Sequence, residues 1–343
     1  MKTLVVNKDS TLEVKEIPIP RYHSKQALVK TISCGICGTD MKLIHQGFKG
    51  FPQDSYPIML GHEGVGRVVE VGAEVKGYKL GDIVLLPFND PDPEIYGSLG
   101  SGWGAYSEYG VVNDVKAYPE GEAPEVAYAQ QLVPEDIDPV DAVMLITLRE
   151  VLSNIRYFGL QKNDSVVVYG SGSVALTFIQ IMKLLGVNPI IAIVRSSEKM
   201  QNVLLHGASF AINSSECDVI TEVKRICPDG VKYVLDAVGA SDIVNEAMEL
   251  VCDRGEILCY GVPGNNQMVL DWSKAPYNWK LNFQQMPSKY EESMAYDQIL
   301  TWIRAGEIDL KNYISDYFEF EHILEAFDKF KNKQIYKKGI ITY

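Results

Sequence analysis

The spacing of apolar residues divides the chain into two kinds of sequence. Through roughly the first hundred residues, short apolar runs alternate with glycine, proline and acidic turns, as in LVVN, ALVKTISC, GRVVEV, DIVLL and EYGVV, and this rhythm predicts a β-rich domain. From Asn163 onward the pattern changes. Strands are predicted at 165–169, 190–194, 232–236 and 256–260, and helices at 173–185, 197–206 and 242–251. Such an alternation predicts βαβ crossovers and a parallel sheet.

The C-terminal part of the chain follows a third pattern. After about residue 290 come two helical stretches, EESMAYDQILTWIRAG and HILEAFDKFKN, and a last strand, GIITY. A chain of 343 residues is too long for one compact core and fits two domains. We therefore predict an α/β protein in which residues 1–146 and 290–343 form the β-rich domain and residues 147–289 form an inserted, doubly wound domain.

Composition and charge exclude several classes of protein. Hydrophobic residues make up 46% of the chain and charged residues 22%, which is typical of globular proteins and excludes disordered and fibrous classes. The net charge of −13 supplies no basic surface for a nucleic acid. No apolar run approaches the roughly 18 residues that span a membrane. The N-terminus, MKTLVVNKDSTLEVKEI, has the pattern of a short strand rather than of a signal peptide.

The cysteines are scattered along the chain. Only Cys34 and Cys37, out of six, lie close together. This distribution is not a disulfide framework, and it predicts a reduced, cytoplasmic protein. It also excludes a structural zinc lobe of the four-cysteine type, because such a site needs four clustered thiolates.

A glycine turn after the first predicted strand of the inserted domain is typical of a dinucleotide site. Gly170, Gly172 and Ala175 match the pattern G-x-G-x-x-A at the start of a predicted helix. The first glycine allows a tight turn, the second permits close approach of a diphosphate, and the small alanine lets helix and strand pack. Ser173 and Val174 complete the helix N-terminus that faces the diphosphate. The alternative is an ordinary glycine-rich turn between a strand and a helix.

The end of the next predicted strand indicates which dinucleotide is bound. An NAD site needs a carboxylate about 20 residues after the turn, where it accepts hydrogen bonds from the ribose. Val194 stands at that position, and Arg195 follows it. An arginine pairs with a 2′-phosphate that a carboxylate would repel, so we predict NADP(H) in preference to NAD(H). Ser196 and Lys199 are placed around the same phosphate. The alternative is that Arg195 is a solvated surface residue.

Two further turns follow predicted strands, at the strand ends where open α/β sheets bind their ligands. Asp236 ends one strand and begins the sequence Asp-Ala-Val-Gly, and Gly261 follows the end of another strand. We predict that the backbone at these two turns lines the nicotinamide.

Two short motifs in the β-rich domain carry metal-binding chemistry. The first, CGICGTD, contains Cys37, and the second, GHEG, contains His62 and Glu63. Taken alone, the cysteine pair could be a redox pair or half of a zinc knuckle, but a thioredoxin-like context and a second pair are absent. A thiolate, an imidazole and a carboxylate suit a catalytic zinc, which takes three protein ligands and leaves one position open.

These motifs make the chain similar to the zinc-dependent medium-chain dehydrogenase/reductase family, and most of all to its sorbitol, threonine and sugar-alcohol dehydrogenases. The matching stretches are CGICGTD (34–40), GHEGVG (61–66) with the later Gly72 and Val75, KLGDIV (79–84), GAYSEY (104–109) and the glycine turn. The resemblance covers essentially the whole chain. It implies a GroES-like catalytic domain and a Rossmann domain for the dinucleotide, with the active site in the cleft between them.

The resemblance also implies roles for individual residues. Cys37 and His62 correspond to zinc ligands, and Glu63 to a third ligand or an adjacent carboxylate that exchanges onto the metal. Thr39 corresponds to the residue that holds the substrate hydroxyl and passes on its proton, while zinc lowers the pKa of that hydroxyl and hydride moves to the nicotinamide. Lys338 resembles a basic residue that reaches the diphosphate, the alternative being a surface lysine. Family members usually form homodimers or homotetramers through the edges of their Rossmann sheets.

The chain departs from the family pattern at three places. Ile146 stands where a further ligand, glutamate or cysteine, is usual, and Glu150, one helical turn later, is a candidate replacement. Relatives in the polyol group can hold zinc with cysteine, histidine, the next glutamate and water. Lys42 occupies the position of a proton-relay histidine, with His45 three residues further on. Either can relay a proton, and Lys42 can equally bind an anionic or polyhydroxy substrate. A short loop at 91–103 replaces the four-cysteine lobe and is either part of the substrate mouth, a subunit contact or a plain surface loop.

We therefore predict a zinc-dependent, NADP(H)-preferring dehydrogenase that transfers hydride reversibly between a secondary alcohol and the nicotinamide. The resemblance favours a polyol, sugar or cyclitol-like substrate, and neither a nucleic acid nor a membrane is an expected partner. Two alternatives stay open at this point. One is a zinc-free NADPH-dependent reductase of the same superfamily, and the other is a nucleotide-binding relative that has lost catalysis.

Overall fold

The computed structural model describes residues 1–264 and 267–343, and the chain forms two compact units. The first unit comprises Met1–Arg149, Ser288–Ile303 and Asp309–Tyr343, and the second comprises Glu150–Pro287 and Arg304–Ile308. The chain passes from the first unit to the second within a helix, whereas the sequence-based domain limits are 146 and 290. None of the described helices is long and apolar enough to cross a membrane.

The described strands of the first unit form two sheets. The smaller sheet contains, in spatial order, β2 (Leu12–Glu16), β1 (Lys2–Val6), β4 (Ile58–Met59) and β7 (Gly100–Ser101). The larger sheet contains, in spatial order, β15 (Ile314–Glu319), β16 (Lys338–Thr342), β3 (Gln26–Gly35), β5 (Gly64–Val71) and β6 (Ile83–Leu85), with β8 (Tyr109–Asn113) also paired to β3. Most of β3 is buried, as its apolar run ALVKTISC predicts for a central strand.

Helices cover this β-rich unit and connect it to the second one. Those inside the first unit are α1 (Gly38–Ile44), α2 (Pro93–Tyr96), α3 (Glu125–Ala129) and α10 (Ile323–Lys331). Two longer helices begin in the first unit and end in the second, namely α4 (Val143–Phe158) and α9 (Lys289–Arg304). Leu43 of α1 and Phe327 of α10 belong to the same buried cluster as Tyr106, so the start of α1 rests on a packed core.

The second unit is a doubly wound α/β domain. Its described sheet is parallel throughout and contains, in spatial order, β11 (Phe210–Asn213), β10 (Ile190–Val194), β9 (Val166–Tyr169), β12 (Val231–Asp236), β13 (Val251–Cys259) and β14 (Trp279–Phe283). Its helices are α5 (Ser173–Leu184), α6 (Ser197–Leu205), α7 (Val219–Ile226) and α8 (Ser241–Leu250). The predicted α/β fold class and its alternation of strands and helices are confirmed.

The strand order has a switch point at β9. The chain leaves β9 for β10 on one side, while β12 lies on its other side. In open parallel sheets, ligands bind outside the carboxyl ends of the strands at such a point. The turns after Tyr169, Val194 and Asp236 therefore emerge at the same edge of the sheet.

Between α4 and β14, four of the described α-helices and strands were not predicted from the sequence, namely α4, β11, α7 and β14. The run AVMLITL at the start of α4 is buried on every side, so its apolar residues show no helical period. Strand β14 lies in a segment rich in aromatic residues. Its five residues WKLNF mix apolar and polar side chains at an outer edge of the sheet, which weakens the strand signal.

Candidate metal centre and dinucleotide turn

Three side chains of the first unit form a compact group of metal-ligand atoms. Cys37, His62 and Glu63 each offer one ligand atom, and these atoms all lie within 4.8 Å of one another. No other group of three such donors occurs in the described part of the chain. Glu63 is buried, whereas Cys37 and His62 are partly exposed. The structure thus brings together the donors that the two short motifs contain.

Backbone geometry at the start of α1 holds Cys37 in place. Cys37 caps this helix in an extended conformation, with φ −121° and ψ 155°, and its backbone N–H donates to Oδ2 of Asp40 over 2.9 Å. An acidic side chain three residues after the cap satisfies an N–H group that a helix start leaves free. Because β3 ends at Gly35, the thiol lies where a central strand passes into a helix.

The same aspartate supports His62. Asp40 is completely buried, and its Oδ1 lies 3.3 Å from Nδ1 of His62. The hydroxyl of Tyr106 lies 2.8 Å from Oδ2 of Asp40 and fixes the carboxylate from the other side. A carboxylate behind a ligating histidine orients the ring and leaves its second nitrogen for a metal. Sequence reasoning did not single out Asp40, although its place three residues after a helix cap is a recognisable signal.

The electrostatics of His62 suit a site that exchanges a proton for a metal. Burial disfavours the charged imidazole, but the negative charges of Asp40 and Cys37 outweigh this and raise the pKa of His62 well above its usual value. A metal needs the neutral ring as a ligand, so metal binding releases a proton from this group.

Glu63 is paired with a lysine from the far end of the chain. The ammonium of Lys338 donates to both carboxylate oxygens, over 2.8 Å to Oε1 and 2.5 Å to Oε2, and the hydroxyl of Thr147 lies 3.4 Å from Oε1. Burial lowers the pKa of Lys338, but the carboxylate charge of Glu63 more than compensates, and the pKa is raised. The expected contact of Lys338 with a diphosphate stays a prediction, since here its ammonium is held by Glu63.

A glycine makes room for this ion pair. A side chain at Gly35 would collide with Oε2 of Glu63 and crowd the Lys338 methylenes. The small residue in CGIC is therefore required by packing against the carboxylate and not by an unusual backbone angle. The sequence carries no signal for this requirement, because the two partners lie far apart along the chain.

The donor set fits zinc. A thiolate, an imidazole and a carboxylate are the ligand types of catalytic zinc sites. The neighbouring Cys34 is fully buried, and burial raises the pKa of its thiol well above the usual range, so it stays protonated and is not a donor of the group. Cys37, His62 and Glu63 would hold the ion.

The position of the usual additional ligand is apolar in this chain. Ile146 lies on α4 and is 2% exposed. The carboxylate of Glu150, the candidate replacement, accepts a hydrogen bond of 2.6 Å from the Tyr260 hydroxyl and is not a member of the donor group. Among the described residues, the site therefore offers three protein donors and no carboxylate beyond Glu63.

The predicted proton-handling residues all lie on α1 or at its end. Thr39 is in the first turn and Lys42 in the last turn, and both are partly exposed, while His45 caps the C-terminus and is exposed. Residues three apart on a helix are neighbours, so Thr39, Lys42 and His45 follow one another along the surface of α1. Their roles in proton transfer stay predictions.

Aromatic rings stand beside the donor group. The ring of Trp103 lies 5.3 Å from that of His62, and it also contacts Phe48 at 6.1 Å and Phe51 at 5.8 Å. We call Phe48, Phe51 and Trp103 the aromatic cluster. Trp103 ends the loop at 91–103 for which the sequence left a role in the substrate mouth open. The role of the two phenylalanines was not predicted, because Phe48 and Phe51 lie 55 and 52 positions before Trp103 in the sequence.

The glycine turn of the second unit has the geometry that the motif predicts. Gly170 follows β9 with φ +131°, a backbone conformation that side-chain-bearing residues rarely adopt. A Cβ on Gly170 would lie 3.1 Å from that of Ala175, so both small residues let the turn approach α5. Gly172 caps α5, and Ser173 and Val174 form its first turn. Their N–H groups make an anion site of the type that binds a diphosphate.

Basic and hydroxyl side chains follow β10. Arg195 comes directly after the strand and is exposed, Ser196 caps α6, and Lys199 lies in the first turn of that helix. Two carboxylates lie close to this corner. Glu198 is in the first turn of α6, and Glu216 accepts a hydrogen bond of 2.8 Å from the hydroxyl of Ser197. The corner thus combines two positive side chains with two negative ones.

The turns after β12 and β13 are packed against each other. The buried carboxylate of Asp236 accepts hydrogen bonds from the backbone N–H groups of Val238, Gly239 and Ala240 over 2.8, 2.9 and 3.2 Å. Its pKa is raised, chiefly by burial. A Cβ on Gly261 would collide with the backbone at Gly239. Asp236 and Gly261 therefore shape these two turns, and their contact with a nicotinamide stays a prediction.

Comparisons with known proteins agree with the fold. Residues 23–122 match the family model described as alcohol dehydrogenase GroES-like domain, and residues 173–285 match the model described as zinc-binding dehydrogenase. The NADP-dependent isopropanol dehydrogenase of Clostridium beijerinckii is 27% identical over 355 residues, covering 96% of this chain and 95% of that protein. The sorbitol dehydrogenase of Bacillus subtilis (strain 168) is 24% identical over 345 residues, covering 97% and 95%.

A solved structure gives the same result. Alcohol dehydrogenase TADH from Thermus sp. ATN1 superposes with a TM-score of 0.78 at 25% identity, covering 100% of this chain and 99% of that chain. Fold and site together define an NAD(P)-linked oxidoreductase that acts on the CH–OH groups of small alcohols or on the corresponding ketones. The chain belongs to the zinc-dependent medium-chain dehydrogenase/reductase family.

Proposed function

We propose that this chain is a zinc-dependent, NADP(H)-preferring dehydrogenase that interconverts a secondary alcohol and its ketone. The observation that carries the proposal is the convergence of Cys37, His62 and Glu63, whose ligand atoms lie within 4.8 Å of one another. A structural site would enclose its metal with four protein ligands, whereas three donors leave a position for a substrate oxygen.

The residues around the donor group divide the work of the reaction. Zinc bound there supplies a Lewis acid that favours ionisation of an alcohol or polarises a carbonyl. Thr39 holds the substrate hydroxyl and receives its proton, which Lys42 or His45 passes to solvent along the surface of α1. The aromatic cluster excludes water beside His62. Alcohol and NADP⁺ thus give ketone, NADPH and a released proton.

The preference for NADP(H) rests on the corner after β10. A 2′-phosphate placed there would meet Arg195, with Ser196 and Lys199 as further donors. An NAD site would instead have a carboxylate at the strand end, where this chain has Val194. One of the relatives described above is named as NADP-dependent, which supports the same choice.

The substrate class is proposed as a polyol, sugar or cyclitol-like secondary alcohol. Sorbitol dehydrogenase, 24% identical, is among the relatives that span nearly the whole chain, although an isopropanol dehydrogenase spans as much of it at 27% identity. A flat aromatic ring such as that of Trp103, partly exposed beside His62, can pack against the C–H face of a cyclic substrate. Lys42 adds a donor for hydroxyl groups on the same side as Thr39.

One observation favours a second candidate, a zinc-free NADPH-dependent reductase. Both oxygens of Glu63 are bound by Lys338, and Ile146 replaces the usual further ligand. A site reduced to Cys37 and His62 would bind metal weakly. In that case the chain would reduce a carbonyl with proton donation from side chains alone.

Absorbance of NADPH distinguishes the two candidates. Protein purified without chelator is analysed for metal and then mixed with NADP⁺ and a panel of polyols, cyclitols and simple secondary alcohols, and with NADPH and the matching ketones. We expect zinc at about one equivalent per chain and turnover that a strong chelator abolishes and zinc restores. Ketone reduction that persists in metal-free protein would support the reductase instead.

A further inference from the structure

The third donor of the metal group is already occupied by another cation. Both oxygens of Glu63 lie within hydrogen-bond distance of the Lys338 ammonium, and the two residues are 4% and 1% exposed. Because both side chains are buried, solvent cannot screen the charge of either group. A carboxylate in this position has to give up part of its bond to the ammonium before it can bind a metal ion.

Backbone hydrogen bonds join the segments that carry the pair. Strand β16 pairs with β3, with Ile340 opposite Gly35, and the N–H of Ile36 donates to Gly339 O over 2.8 Å. The N–H of Gly35 donates to Glu63 O over 3.1 Å. Backbone hydrogen bonds therefore join β3, β16 and the segment that carries Glu63 next to the two side chains. A Cβ at position 35 would collide with Oε2 of Glu63 and crowd the side chain of Lys338.

The ion pair matters because Glu63 is the only carboxylate that the described residues offer to the donor group. With Ile146 in place of the usual further ligand, the described residues offer no carboxylate to the group besides Glu63. The number of protein ligands thus depends on whether Glu63 faces the metal or the lysine. Thr147, on the same helix as Ile146, is a neutral donor to Oε1 and does not compete by charge.

We propose that Lys338 is a positioning residue that competes with the metal for Glu63 and so sets the metal affinity of the site. This inference rests on the proposed zinc-dependent function. In the metal-free protein the ammonium neutralises the buried carboxylate and keeps it in place. When zinc binds through Cys37 and His62, Glu63 is shared between the two cations, and the affinity is lower than three free donors would give.

Zinc affinity of Lys338 variants tests the proposal directly. Metal-free protein is titrated with zinc in competition with a chromophoric chelator, and the melting temperature is recorded with and without zinc. Lys338→Met removes the charge and keeps the length of the side chain, so zinc should bind at least tenfold more tightly than to wild type. Lys338→Arg keeps a cation and should stay near the wild-type affinity. Lys337→Met, whose lysine donates to Asn312 O on the surface, is the matched control and should change nothing.

A double variant separates competition from general damage. Glu63→Gln should weaken zinc binding, and Glu63→Gln combined with Lys338→Met should bind zinc like Glu63→Gln alone, because the lysine then has no carboxylate to compete for. Lys338→Met should melt at a lower temperature than wild type without zinc and regain more stability than wild type with it. If Lys338→Met does not fold, Lys338→Gln, which removes the charge but keeps a hydrogen-bond donor, takes its place.

The outcomes separate this inference from the proposed function. Zinc binding by wild type with an unchanged or weaker affinity in Lys338→Met and Lys338→Gln overturns the competition and leaves the zinc-dependent function intact. Absence of zinc binding in wild type and in every Lys338 variant overturns the zinc site itself. Zinc binding only after the lysine is removed supports the competition and argues for the zinc-free reductase in the natural chain.

Discussion

A single buried carboxylate joins the two motifs of the metal group. The Asp40 carboxylate accepts a hydrogen bond from the backbone N–H of Cys37 and lies beside Nδ1 of His62. The buried Tyr106 hydroxyl donates a further hydrogen bond to it. The sulfur and the imidazole come from different segments, so their relative position depends on this one side chain. Supporting groups of this kind contribute strongly to metal affinity although they never touch the ion.

Asp40→Asn should therefore weaken zinc binding without removing a ligand. We expect a loss of about 10- to 100-fold in affinity, because the amide is neutral and orients His62 less firmly. Zinc titration against a chelator measures the effect, with the exposed Asp54→Asn as control. An affinity equal to that of wild type would show that Asp40 supports only the helix start.

Arg195 carries the proposed cofactor preference. Arg195→Ala should lower kcat/KM for NADP⁺ by about 10- to 100-fold while leaving kcat/KM for NAD⁺ nearly unchanged, because only NADP⁺ loses a charge-assisted contact. Initial rates with both dinucleotides provide the test. Arg225→Ala, which removes an exposed arginine from α7, should change neither value. Equal losses with both cofactors would contradict a contact to the 2′-phosphate.

Trp103 carries the proposed selection of cyclic substrates. Trp103→Leu keeps an apolar side chain but removes the flat ring beside His62. We expect kcat/KM for a cyclitol to fall by about tenfold, which corresponds to about 1.4 kcal/mol of packing, and to fall less for isopropanol. Parallel kinetics with the two alcohols measure the difference. A uniform loss with both would mean that the ring supports the metal group instead of the substrate.

What the sequence predicts at this scale depends on how far apart the partners lie. Cys37, His62 and Glu63 were predicted because each sits in a short motif with its own chemistry. The pairing of Glu63 with Lys338 was not, since 275 positions separate them. The ring contact of Trp103 with His62 is of the same kind. Contacts between distant segments depend on the folded sheet, and no local pattern records them.

At the scale of elements, the sequence predicted the regular alternation of strands and helices in the second unit. It did not predict elements whose apolar residues show no helical or strand period. Strands β9, β10 and β12 and helices α5 and α8 were all predicted within one or two residues of their observed limits, because their apolar runs are bounded by clear turns. Helix α4 was missed because its first half is apolar on all sides. The same apolar start of α4 places Ile146 where a metal ligand is usual.

Strand β14 is the element for which we predict a role in assembly. It ends the parallel sheet of the second unit, and no described strand pairs with its outer edge. Tyr277 is fully exposed and Trp272 is 76% exposed beside it. An open sheet edge with exposed aromatic side chains beside it is typical of a surface that pairs with another chain. We therefore expect a homodimer or homotetramer in which this edge is covered.

Sedimentation analysis of a charged variant tests that role. Tyr277→Asp should shift the protein towards the monomer, because an isologous interface receives the new charge twice. Tyr336→Asp, at an exposed tyrosine of the first unit, should leave the mass unchanged. A wild-type monomer, or equal behaviour of the two variants, would contradict an interface at β14.

At the scale of the whole molecule, the two units carry different parts of the proposed machinery. The first unit contributes the donor group and α1, and the second contributes the glycine turn and the corner after β10. A metal site alone would also suit a structural role, and a dinucleotide turn alone would also suit a sensor. The presence of both on one chain of this family defines a dehydrogenase, and the metal is the component on which the proposal depends.

The number of zinc ions needed for activity tests this dependence most directly. Metal-free protein is titrated with zinc, and NADP⁺-dependent oxidation of the best alcohol from the panel is measured at each addition. We predict no activity without metal and a linear rise that levels off at one zinc per chain, with Cys37→Ser inactive throughout. Full activity in metal-free protein, or activity in Cys37→Ser equal to that of wild type, would contradict it.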